Sequence, residues 1–389
     1  MGSRRSTVEA LVMRQERITC EAAAPFAGVF AGKRVLVTGH TGFKGSWLTC
    51  WLQQLGAELC GYSDRVPTQP SVFEAARIAR FIRDERGDVR DRAALAKVVA
   101  EFRPDFVFHL AAQAIVSTSY ADPLATFETN VMGTATVCDV LREVEWPCTV
   151  VLITSDKAYE NVEWEWGYRE TDRLGGKDIY SGSKGAAELA FHAYHQSFLT
   201  KLPSLRIATA RAGNVIGGGD WAADRIVADC IRAWRDGRTV QIRSPTATRP
   251  WQHVLEPLSG YLALAQALAS DEALNGESFN FGPRGEQNAT VVELLSDLAR
   301  VWGFDAPRES YAVIDNVPFH EAGLLKLNVD KALLCLRWRP NLTYDECVDL
   351  TGSWYRRVVR LGEDPYAVTQ GHIDRYLALA RDRQLVWSG

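Results

Sequence analysis

The chain of 389 residues predicts a doubly wound α/β fold, a parallel sheet with helices on both faces, followed by a smaller C-terminal domain. Three observations predict it. The chain opens as strand, glycine loop, helix, strand. The alternation of strands and helices then continues to about residue 212. Beyond Gly213 it loosens into Gly- and Pro-rich loops with shorter helices.

Taken in order, Lys33 to Thr38 (KRVLVT) is a β-branched run, as a buried parallel strand requires. Gly39 to Gly45 is the loop. Ser46 to Leu55 places Trp47, Leu48, Trp51, Leu52 and Leu55 at helical spacing, and Gly56 ends that helix. Glu58 to Tyr62 is the second strand. Helices are expected over Ala93–Phe102, Leu124–Val144 and Tyr180–Phe198, and strands over Phe106–Leu110, Thr149–Thr154 and Arg206–Arg211. The boundaries drawn are an extension over 1–31, a first domain over 32–212 and a second over 213–389. Folded structure is expected to start near Gly32, and a segment near 239–260 to rejoin the main sheet.

Composition narrows the function classes. Apolar residues make up 47%, charged residues 24%, and the net charge is −4 without a basic run. That gives no footing for a nucleic-acid or membrane-surface partner. No stretch approaches the ~20 apolar residues of a membrane helix. Residues 1–30 carry four arginines but no compact apolar run with a cleavage signal, so no secretory signal is expected. The eight cysteines have neither Cys-x-x-Cys nor zinc-ligand spacing, which predicts buried thiols, no disulfide and a cytoplasmic location. His320-Glu321 lacks a second histidine at 324, so no metal site is expected.

The chemistry concentrates in two motifs. In Thr38-Gly39-His40-Thr41-Gly42-Phe43-Lys44-Gly45 the glycines are spaced three and three. Glycine lets backbone approach a pyrophosphate, and the helix that follows offers free N–H groups and its positive end. After a strand and before a helix, this predicts a dinucleotide site. Asp64 at the end of the second strand is either the ribose ligand of NAD or a solvated carboxylate, and Arg65 beside it suits the extra phosphate of NADP. Asp88-Val89 lies where it could touch adenine. The second motif is Thr154-Ser155-Asp156-Lys157 at a strand end, with Tyr180 and Lys184 four apart at a helix start. A phenol with a pKa near ~10 is a poor base at neutral pH, and a nearby ammonium favours the phenolate.

Glycine loop, strand-end serine and Tyr-x-x-x-Lys resemble the short-chain dehydrogenase/reductase superfamily, a Rossmann-type fold, and in particular its extended branch. The strings TGHTGFKGSWL (38–48), TSDKAYEN (154–161), EWGYRETDRLGG (165–176), RAGNVIGGGDW (211–221) and RPWQHVLEP (249–257) resemble those of CDP-glucose 4,6-dehydratases. The resemblance spans about 33 to 345, with Ile179, Ala158 and Ala186 departing from the family pattern. It implies NAD that stays bound, CDP-glucose as substrate and a homodimer through two long helices. It implies Ser155, Tyr180 and Lys184 for oxidation at sugar carbon 4, and Asp156 with Lys157 for elimination. It also implies Ala111 and Ala112 at the cofactor, and Gln113, Asn214, Arg225, Arg243 and Arg249 at the substrate. His253 is either a nucleotide ligand or a hydrogen-bonded core residue. The rivals are an epimerase or reductase on the same scaffold, a dehydratase of another nucleotide sugar, and a non-catalytic NAD sensor.

Overall fold

The computed structural model describes residues 24–242, 245–314 and 325–389. Seven parallel strands form the central sheet: β1 (Arg34–Thr38), β2 (Glu58–Ser63), β3 (Arg83–Arg86), β4 (Phe106–His109), β5 (Cys148–Ile153), β6 (Leu205–Ala212) and β7 (Ser278–Phe281). Their order across the sheet is β7-β6-β5-β4-β1-β2-β3. The order reverses between β1 and β4, so both strands end at one crevice, where open α/β sheets bind ligands. β1, β4 and β5 are almost entirely buried, as strands covered on both faces must be. β3 is the exception: Arg-Asp-Glu-Arg has no apolar residue, and its charges pair along an exposed edge. A charged edge strand resists pairing with other chains.

Helix α1 (Phe43–Gln54) follows the glycine loop, and α2 (Arg92–Phe102) leads into β4. The predicted long helix of 124–144 is interrupted. Pro123–Phe127 passes through a wide π-turn, Glu128–Met132, into α3 (Gly133–Leu141). The π-turn aims Asn130 inward, where its Nδ2 donates to Ser183 Oγ at 2.8 Å on α4 (Ile179–Ser197). Further on come α5 (Ile226–Arg235), α6 (Leu255–Ser270), α7 (Val291–Trp302), α8 (Tyr344–Tyr355) and α9 (Pro365–Asp382).

Three boundary expectations change. Phe26 and Phe30 are fully buried, so order reaches back past Gly32; residues 1–23 lie outside the described residues. Phe26 stacks on Trp387 at 5.2 Å, an aromatic partner nearly the whole chain away and therefore silent in local periodicity. The strand that rejoins the sheet is β7, not Val240–Ile242, which pairs with Tyr311–Val313 in a separate ribbon. β7 is buried at all four positions, whereas Gln241 points to solvent. Finally, residue 213 does not divide two cores, because one apolar cluster runs from Phe26 to Trp387.

Candidate active site

The glycine loop folds as its spacing requires. Gly39 has φ +75°, and a Cβ there would lie 2.6 Å from the Ala111 nitrogen. A Cβ on Gly45 would lie 2.1 Å from the Gly39 carbonyl oxygen. Gly42 is less crowded: the nearest atom to its Cβ would be that same oxygen at 3.3 Å, still a tight contact. Gly42 also caps α1 without any side chain. The result is a cradle of bare N–H groups at a helix start, which fits a dinucleotide pyrophosphate. Thr41 Oγ1 donates to the Arg65 carbonyl at 2.6 Å and ties the loop to the end of β2. Asp64 there is exposed and accepts from the Arg65 backbone N–H at 2.8 Å. Asp88 is clasped by Arg90, whose guanidinium holds the carboxyl below its ordinary value, while Val89 is buried against α3. Ala111 and Ala112 follow β4 beside the loop.

The second motif assembles at the adjacent end of β5. Ser155 caps a short turn, Asp156–Ala158: its Oγ accepts from the Lys157 N–H at 3.2 Å and donates to Asp156 Oδ1 at 3.0 Å. Ser155 and Asp156 are buried; Lys157 is half-buried. Asp178 caps α4, accepting from Ser181 N at 2.9 Å, and so fixes where Tyr180 and Lys184 point. The Tyr180 hydroxyl faces Ser155, and Lys184 Nζ lies 5.9 Å from the Tyr180 ring centre.

Burial raises the Tyr180 phenol, opposed by the Arg225 charge and the Ser155 hydroxyl. The sequence pointed to Lys184 as the stabilising cation, but Arg225, at the start of α5, faces the phenol as well. Burial lowers Lys184 to about 8, opposed by Glu188. Lys44 leaves the glycine loop toward the same centre. Its Nζ reaches the Tyr261 hydroxyl at 3.4 Å and faces Asp156, and burial lowers it to about 8.

Other expected ligands are placed unevenly. Arg225 lies near the centre, donating to the Ala114 carbonyl at 3.3 Å. Asn214 follows β6 and is half-buried. Arg249 lies in a short strand paired with Ala289–Thr290, donating to the Thr248 carbonyl at 2.9 Å. Gln113 spends its amide on the protein, donating to Thr126 Oγ1 at 3.0 Å and accepting from Ile115 N at 2.5 Å. Those two bonds brace the loop after β4. His253 is fully buried edge-on to Trp47; its Nδ1 accepts from the Leu255 N–H at 3.3 Å, and its Nε2 is buried without a partner. Arg243 and the His320-Glu321 pair lie outside the described residues.

The model of the NAD dependent epimerase/dehydratase family matches residues 35–282. The chain belongs to this family. Among relatives of the family, the CDP-glucose 4,6-dehydratase of Salmonella typhimurium is 45% identical over 89% of this chain and 97% of its own length. The UDP-glucose 4-epimerase of Thermus thermophilus, solved with NAD, superposes with a TM-score of 0.69 at 27% identity, covering 83% of this chain and 99% of that one. The dTDP-glucose 4,6-dehydratase DesIV of Streptomyces venezuelae, solved with NAD and TYD, gives 0.71 at 24% identity over 86% and 99%. The family's NAD dependence agrees with the glycine cradle.

Proposed function

We propose that this chain is a lyase that dehydrates CDP-glucose to CDP-4-dehydro-6-deoxy-glucose. The observation that carries the reading is the Ser155-Asp156-Lys157 turn. It buries the Asp156 carboxyl against the Ser155 hydroxyl, which faces Tyr180. An epimerase needs only the oxidising hydroxyl, phenol and ammonium. Removing a sugar hydroxyl needs a proton donor in addition. The 45% identical dehydratase supports CDP-glucose as the substrate.

Bound NAD would take a hydride from sugar carbon 4 and return it to carbon 6. Gly39, Thr41, Gly42, Phe43, Lys44 and Gly45 would hold it, with Asp64, Asp88, Val89, Ala111 and Ala112 around the adenosine and the crevice. Tyr180 accepts the 4-hydroxyl proton, with Ser155 orienting the phenol and the Lys184 and Arg225 charges favouring its anion. The 4-ketone acidifies carbon 5. Lys157, as the neutral amine, takes the carbon-5 proton, and Asp156, as the protonated carboxyl, gives its proton to the 6-hydroxyl, which leaves as water. This gives an enone, and Lys157 returns its proton to carbon 5 when hydride reaches carbon 6. Asn214, Arg225, Arg243 and Arg249 are assigned to the nucleotide, since guanidinium forks bind diphosphate oxygens in pairs.

Exposed Leu124 and Met132 on the helices before β5, with Leu189 and Phe198 at α4, support a homodimer through these helices. Among the described residues the cysteines are free and, except for Cys335, buried, which accords with a cytoplasmic enzyme. The deciding experiment incubates the protein with CDP-, dTDP-, UDP- and GDP-glucose and follows products by mass and NMR. CDP-glucose should lose one water and yield a 4-keto-6-deoxy sugar. A stereoisomer of unchanged mass would establish an epimerase instead.

A further inference from the structure

Glu188 stands on α4 four residues after Lys184 and eight after Tyr180, so the three share one helix face. Its side chain is 0% exposed, and its partner Arg211 on β6 is 1% exposed. Burying two charges carries a desolvation cost that apolar residues of similar shape avoid. A pair in this position therefore calls for a task other than stability.

Its contacts show where the task lies. Glu188 accepts from Arg211 through Nε at 2.9 Å and Nη2 at 3.1 Å, from Thr209 Oγ1 at 3.1 Å, and from the Thr154 hydroxyl. Arg211 Nη1 donates to the Tyr159 hydroxyl at 2.8 Å and to the Glu170 carbonyl at 3.1 Å. Thr154 immediately precedes Ser155, and Tyr159 closes the turn that bears Asp156 and Lys157. The pair thus grips both ends of that turn while standing on the helix of Tyr180 and Lys184.

We propose that Glu188 and Arg211 are positioning residues, an internal ion pair that sets the distance between the Tyr180–Lys184 helix and the Ser155–Asp156–Lys157 turn. This rests on the assignment of those five residues to the reaction. Glu188 has a second effect, because its charge opposes the fall that burial imposes on Lys184. The other charged or titratable groups facing Lys184 are Tyr180 on its own helix, Lys44 from the glycine loop and His109 from β4, the last held neutral by burial.

The test exchanges the pair as a unit, Glu188→Gln with Arg211→Met, so that neither charge is stranded. Wild type and variant are compared for melting temperature, KM, kcat and the pH profile with CDP-glucose. The expected result is a folded variant with KM within about 2-fold of wild type. Its kcat should fall by roughly 10- to 100-fold, as for a misplacement of the reacting groups. The alkaline limb of kcat/KM should move to lower pH, since Lys184 loses the neighbour that raised it. A folded variant with unchanged kcat and an unmoved limb would reduce the pair to packing and overturn the proposal. Should the double variant fail to fold, the near-isosteric Thr154→Val cuts the direct link between Glu188 and the strand end. A fall in kcat at constant KM upholds the proposal, and normal kcat ends it. If the assignment of the five residues is itself wrong, Tyr180→Phe will turn over near-normally in the same assay, a failure separate from that of the pair.

Discussion

At the scale of single residues the site divides its labour between hydroxyl, phenol, ammonium and carboxylate. Tyr180→Phe removes only the phenolic oxygen, so substrate binding should survive while turnover falls by ~100-fold or more. Near-normal turnover would show the motif to be misread. The ammonium sets the pH profile. With Lys184 lowered to about 8, its proton leaves earlier than from an ordinary lysine. kcat/KM should therefore decline as pH rises through about 8. Lys44 is lowered to a similar value, so Lys44→Met separates the two. The limb belongs to Lys184 if it persists in that variant, or moves to higher pH with one positive neighbour fewer. Asp156→Asn with Lys157→Ala should leave oxidation and stop elimination. At most one equivalent of a 4-ketone that keeps its 6-hydroxyl would then form, trapped with reduced cofactor and seen as near-ultraviolet absorbance without 6-deoxy product. A 6-deoxy product at the wild-type rate would make these two a bystander pair.

Most of these residues were legible because their chemistry follows local spacing. Tyr180 and Lys184 need only one helix turn, and Gly39, Gly42 and Gly45 only one loop. Arg225 at the phenol and the Glu188–Arg211 pair were not legible in the same way. They meet the site through a fold that joins β6 to α4, and no spacing announces it. One signal was available: Glu188 continues the Tyr180–Lys184 face, where a carboxylate on a buried helix stripe needs a partner. Gln113 and His253 looked like ligands by type; Gln113 also braces its own loop, and His253 is buried with Nδ1 bonded to the backbone and Nε2 without a partner.

At the scale of elements, the C-terminal helices depend on a second buried carboxylate. Glu256 on α6 accepts from the Asn341 N–H at 2.9 Å, from the Leu342 N–H at 2.5 Å and from the Tyr376 hydroxyl at 3.1 Å. These bonds clamp α9 and the loop before α8 onto α6. Burial pushes Glu256 up to about 7, partly opposed by those donors. A carboxyl raised on folding binds its proton more tightly in the native state. Its contribution to stability is complete below the unfolded value near ~4.3 and is lost as pH rises through about 7. Glu256→Gln keeps an acceptor for the two N–H groups and cannot ionise. Melting temperatures of the variant should fall less between pH 5 and 8 than those of wild type. Equal slopes would mean the carboxylate is already ionised in the native state at pH 5. Neither this clamp nor the π-turn at Glu128–Met132 was visible in the periodicity, because both answer to distant partners: the loop before α8 and Ser183.

For the molecule as a whole, the two ends of the described chain are one packing unit. Phe26 lies against Phe30, Trp51 and Trp387, and Trp387 against Tyr376. Phe26→Ala should cost ~3–5 kcal/mol, seen as a lower denaturation midpoint. A loss below ~1 kcal/mol would show that the aromatic cluster closes without it. The alternation of strands and helices made β1, β2, β4, β5 and β6 predictable; β3 escaped because it has no apolar residue, and β7 because it arrives after 65 residues of intervening chain, from Gly213 to Glu277.

That late arrival matters during synthesis. Strand β6 is eight residues long and almost wholly buried in the finished sheet, with four of its residues, Thr209 to Ala212, paired to β7. Until β7 and α6 have left the ribosome, the growing chain carries β6 as a raw apolar edge, the kind of surface that recruits other nascent chains. The order in which the sheet is encoded thus leaves a vulnerable interval in the life of every molecule, between emergence of residue 212 and emergence of residue 281, in which a chaperone has the most to cover.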